Sequence, residues 1–149
     1  MKKWAGVIPK MEHLVFHPPL VHFPIAFYCL ELLLLSLWQA KKDPAYLRFA
    51  QFSFRLGYLF MLAAIAAGLK DAGGLSRIAG KVKPHFYSAV AVFGIYTVRA
   101  FVWKFAGSMG GVSPPSGRGG LAPTIHFIGA LFGTTIVLLT AFLGGEIVY

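Results

Sequence analysis

Four long apolar runs, each parted from the next by a short polar segment, set what this chain can fold into. They cover about residues 20–39, 46–69, 84–105 and 123–148. A run of about 20 residues is roughly 30 Å long as a helix, the thickness of a bilayer's hydrocarbon core. Backbone amides find no water in lipid, so long runs without alternation favour helices over strands. Asp43-Pro44 opens the second run, and Lys70-Asp71-Ala72-Gly73-Gly74 closes it. Pro84 suits a first helical turn. Residues 107–120, rich in Gly, Ser and Pro, read as the connection before the fourth run. The expected fold is all-α: one transmembrane domain over residues 1–149, an up-down-up-down four-helix bundle. No internal repeat or low-complexity tract is visible.

Composition agrees. Only 13% of the chain is charged and 57% is hydrophobic, where a soluble domain carries about 25% charged residues. The net charge of +9 does not call for nucleic acid. The basic residues stand at the ends of the runs and between them, where lipid headgroups meet the protein. Cys29, the only cysteine, lies within the first run, so the chain can form no internal disulfide. Residues 1–12 are basic but lack a signal-peptide core and cleavage site, so the first helix is expected to act as an uncleaved anchor.

Short connections make successive helices antiparallel. Helices one and three then begin on one face, side A, where helices two and four end. Glu12, His13, His17, His22, Asp71, His85 and Glu146 all fall at side A. His126 falls near side B, where interfacial packing is expected. Histidine is costly in lipid and tends to be kept for a function. Two neutral imidazoles from different helices, at matching depth, are what a haem b needs. His22, one turn inside helix one, and His85, in the first turn of helix three, are the expected ligands. His17 with His85 is the alternative pair. A competing reading is a non-haem metal held by a nitrogen and oxygen set drawn from His17, His22, Asp71, His85 and Glu146, suited to zinc, copper or iron.

Glu31 is the one carboxylate within a span. By helical rise it lies about 18 Å from side A, Arg99 lies about 21 Å from it, and Arg55 is comparably placed. An intramembrane carboxylate needs a partner, so a structural Glu31–Arg99 or Glu31–Arg55 pair is expected. Proton or quinone handling is the functional alternative. Gly129 and Gly133, like Ala64 and Gly68, have the small-residue spacing of close helix packing. No Ser-His-Asp set, phosphate loop or nucleotide motif is present, so nothing supports a hydrolase or a kinase.

The run HPPLVHFPIAFYCLELLL, Gly68 with Asp71, His85, and the ending LGGEIVY together resemble a bacterial four-helix membrane family. It is catalogued as domain of unknown function 2231, and the resemblance covers about residues 13–149. It marks His17, His22, Gly68, Asp71, His85, Gly145 and Glu146. Two features depart from the family pattern: the double proline Pro18-Pro19, and a chain that stops at Tyr149. Members of the family are sometimes joined to, or encoded beside, Rieske-type or cytochrome redox proteins. The resemblance therefore implies a small subunit of a respiratory or photosynthetic electron-transfer complex, in the bacterial inner (cytoplasmic) membrane. The alternatives are a cofactor-free accessory subunit that binds lipid or quinone, and a metal-binding membrane protein.

Overall fold

A computed structural model describes residues 17–78, 80, 82–109 and 121–148. It contains four long helices: α1 (His17–Lys41), α2 (Pro44–Asp71), α3 (Val82–Met109) and α4 (Leu121–Val148). One turn of 3-10 helix, Leu75–Arg77, precedes α3. All four are long and apolar enough to cross a membrane, and no more than 28% of any span's apolar window is buried. Phe49, Phe52, Leu59 and Phe142 are each more than 60% exposed. So much apolar surface faces outward because the bundle's solvent is hydrocarbon. The chain is a multi-pass membrane protein in contact with lipid.

Local chemistry fixes the helix ends. The Asp43 carboxylate accepts the Ala45 N–H at 2.8 Å, capping α2, and Pro44 occupies the first turn. At the other end Gly74 N–H donates to Leu69 and Gly73 N–H to Lys70, with Gly73 at φ 73°. This is a Schellman ending, which needs a residue without Cβ at that φ. Each helix extends beyond its apolar run, and Pro18 and Pro19 fall in the first described turn of α1.

The helices alternate in direction, and α1 packs closely on α2, α3 on α4, and α1 on α4. The α2–α3 seam is much looser. Tyr28, Phe54, Met61, Val92, Tyr96 and Val137 form the central core, and Leu35, Ala50 and Ala130 form a second cluster.

An internal repeat, invisible in the sequence, emerges from the contacts. His17 packs its ring on Gly68, and His85 packs its ring on Gly144. Eleven residues further along each helix pair, Tyr28 packs on Gly57 and Tyr96 on Gly133. Eleven residues are about three turns, so each set lies on one helix face. Equivalent residues also meet one another. Tyr28 stacks on Tyr96 with centroids 3.7 Å apart, His17 meets His85 at 5.8 Å, and Glu31 pairs with Arg99. The partners in all three stand 68 positions apart. Contact of a position with its own equivalent marks a two-fold axis. At these positions the α1–α2 and α3–α4 hairpins are related by an approximate two-fold axis along the bundle.

Candidate functional site

His17 opens α1, and its backbone N–H is one of the orphan donors of a helix start. Asp71, from the last turn of α2, accepts it through Oδ2 at 3.1 Å. The half-buried His17 ring turns toward α2, where its Nδ1 lies 2.8 Å from the Ala64 carbonyl. A Cβ on Gly68 would stand 2.9 Å from that nitrogen, so only glycine lets the ring seat there. His85 repeats the arrangement: its Nδ1 lies 3.0 Å from the Thr140 carbonyl, and a Cβ on Gly144 would stand 3.0 Å from the ring. A carbonyl only accepts, so in each ring Nδ1 is the donor, and in the neutral imidazole Nε2 then keeps its lone pair. The two rings meet edge to face, 77° apart. Side A thus holds two imidazoles with fixed tautomers on the two-fold axis.

The ring that faces His85 is His17's. His22 points outward and its Nδ1 lies 2.7 Å from the Pro18 carbonyl of its own helix. Of the two expected partners for His85, His17 is the one whose ring meets it. The reason is direction: five residues turn a helix by about 140°, so His17 and His22 present different faces. Asp71 stands beside His17 but spends one oxygen on its backbone. The side chains of Glu146 and His13 lie outside the described residues. Among the described residues no three His, Cys, Asp or Glu side chains converge as a metal-ligand set.

Deeper in, the expected ion pair is present, and the partner is Arg99. Arg99 Nη2 lies 2.5 Å from Glu31 Oε1, and Nη1 lies 3.3 Å from Oε2. Glu31 is fully buried and Arg99 is 6% exposed. A two-pronged guanidinium–carboxylate contact is the strong form of such a pair. The guanidinium also lies 5.0 Å over Tyr96 and 5.1 Å over Phe54, which adds cation–π attraction. Arg55, the other expected partner, is exposed and lies beside the α2–α3 seam. His126, expected to pack near side B, packs inside the bundle. It is buried and stacks on Trp103 with centroids 3.7 Å apart.

The family of predicted membrane proteins catalogued as domain of unknown function 2231 has a model that matches residues 13–149. The chain belongs to that family. No curated protein and no solved structure matches it. In this member of the family, four of the residues that carry the resemblance, His17, Gly68, Asp71 and His85, meet at side A. What sequence reasoning missed is the glycine and carbonyl cradle. Its signal was the eleven-residue step from Gly57 to Gly68, repeated from Gly133 to Gly144.

Proposed function

We propose that this protein is a small subunit of an electron-transfer complex in the bacterial cytoplasmic membrane, holding one haem b iron between His17 and His85. The observation that supports it is the matched pair of imidazoles, each tied through Nδ1 to a carbonyl so that Nε2 is left to bind. Metal-binding histidines are typically oriented in this way, by a hydrogen bond from the other ring nitrogen. His17 and His85 would hold the group, and their rings, which now meet edge to face with centroids 5.8 Å apart, would have to part to admit it. A bound haem supplies one-electron chemistry, tuned by its axial ligands and by burial. The Ala64 and Thr140 carbonyls hold the ring orientations, and Gly68 and Gly144 give the rings room. Neighbouring redox subunits and membrane quinone are the partners this role implies.

Direct edge contact between the rings favours a second reading, a cofactor-free accessory subunit in which each imidazole ties two helices together. A visible spectrum of the purified protein, oxidised and then reduced, separates the two. The haem reading expects a low-spin spectrum with a sharp reduced α-band, lost in His17→Ala and in His85→Ala. His22→Ala and His126→Ala should leave it intact. A colourless, folded protein whose helices survive both side-A substitutions decides for the accessory subunit. A colourless protein that retains zinc, copper or iron through His17 and His85 decides for a non-haem site.

A further inference from the structure

The two-fold axis relates two seams, α1–α4 and α2–α3, and only one of them is sealed. Leu35 and Ala130, with Leu32 and Phe127 packed against them, close the α1–α4 seam toward side B. The equivalent positions on the α2–α3 seam are Trp103, Phe54, Ala100 and Gln51. There the helices part around a cavity of about 290 Å³. Gln51, Arg55 and Lys104 supply its polar lining, and Phe54, Tyr58 and Trp103 its aromatic walls. The counterparts of Arg55 and Lys104 in the sealed seam are Leu131 and Ser36. The two halves differ here, with charge on one side only.

Depth makes the charge costly. Arg55 lies close to the midpoint of α2 and faces outward. Among the described residues, no carboxylate pairs with it: the ion pair found is Glu31 with Arg99. A lipid-exposed guanidinium at that level is unfavourable unless an anion meets it. Its long stem lets it reach toward side B along the cleft, where Gln51 stands one turn nearer the start of α2 and Lys104 in the last two turns of α3. The Tyr58–Thr97 hydrogen bond, 2.9 Å, closes the inner end. The cleft is therefore open toward side B, rich in hydrogen-bond donors, cationic, and walled with rings along its length.

We propose that the α2–α3 cleft is a binding site for one anionic phospholipid, its phosphate bridged by Arg55 and Lys104 and an acyl chain laid against Phe54 and Tyr58. Charge complementarity selects the anion, and basic pockets between membrane helices bind acidic headgroups by this means. The inference is independent of any haem at side A. The test is lipid retention by native mass spectrometry of the protein released from nanodiscs. One set of discs contains phosphatidylglycerol, and another phosphatidylcholine with the same chains. The expected result is one phosphatidylglycerol retained per chain and no phosphatidylcholine. Arg55→Gln with Lys104→Gln should weaken retention by about tenfold or more. Arg48→Gln, an exposed cation on the same helix outside the cleft, should not. Ala100→Leu, which narrows the cleft without altering charge, should also weaken retention. Circular dichroism establishes that each variant is folded. Equal retention of both lipids, an undiminished signal in the double variant, or displacement of the lipid by a neutral quinone analogue at stoichiometric concentration would overturn the proposal.

Discussion

Reversing the central ion pair tests the two-fold arrangement most directly. Glu31 and Arg99 are both buried, and Arg99 rests on the faces of Tyr96 and Phe54. In Glu31→Gln the guanidinium keeps those rings but loses its counter-charge, and Arg99→Gln strands the carboxylate. Removing one partner of a buried pair costs about 3–5 kcal/mol, because a charge is left without compensation. The reversed pair, Glu31→Arg with Arg99→Glu, should behave differently. Positions 31 and 99 are equivalent about the axis, so a guanidinium at 31 meets Tyr28 as Arg99 meets Tyr96. Two neighbours differ. Phe54, whose ring lies under the Arg99 guanidinium, has Ala130 as its equivalent. Gly129 makes room for Arg99, since a Cβ there would stand 3.1 Å from Nε, whereas the equivalent position holds Ser53, whose hydroxyl donates to the Phe27 carbonyl at 2.7 Å. The reversed pair should therefore recover most, but not all, of the single-variant loss. Adding Ser53→Gly to it should recover roughly 1 kcal/mol more by relieving crowding. Equilibrium unfolding in mixed micelles, followed by far-UV circular dichroism, measures all five proteins. The reasoning fails if each single substitution costs less than about 1 kcal/mol, or if the reversed pair is no more stable than either single variant.

Gly68→Ala and Gly144→Ala should each lower stability by about 1–3 kcal/mol, because the new methyl meets an imidazole held by a carbonyl. Gly145→Ala, where a Cβ meets nothing within 4 Å, should change stability by less than about 0.5 kcal/mol in the same unfolding assay. For the topology, Lys42→Cys and Ser76→Cys in a Cys29→Ser background should react with an impermeant thiol reagent from opposite faces of the membrane. Labelling of both from one face would break the up-down order.

The spans were legible because a bilayer leaves a chain so few choices: length and apolarity alone locate them. Asp43-Pro44 and Gly73-Gly74 also announced their caps and turns, since few residue types serve those positions. The ion pair was half legible. Counting helical rise gave the depth of Glu31 and of both arginines, and depth is all that it gives. Arg55 and Arg99 differ in azimuth, which depends on how each helix is rotated against its neighbours. The same gap holds for the histidines: His22 and His85 match in depth, but the ring that meets His85 is His17's. The repeat was hidden for another reason. In lipid most positions on a helix ask only for an apolar side chain, so the two copies share little apart from the residues that touch across the bundle.

Those shared and unshared residues together explain what joining two hairpins in one chain permits. Two identical hairpins around a true two-fold axis would put the same side chain against itself at every axial position. Tyrosine tolerates that by stacking and histidine by edge contact, and both pairs are present. Charge does not: a glutamate would face a glutamate, and an arginine an arginine, within the membrane. With the two copies in one sequence, one can carry Glu31 and the other Arg99, so a pair that symmetry would make repulsive becomes attractive. The seams follow the same logic. A symmetric dimer would have two sealed seams or two open ones. This chain seals one with Leu35 and Ala130 and keeps the other open beside Arg55 and Lys104, so the side-B half gains a one-sided cleft while side A retains the paired imidazoles.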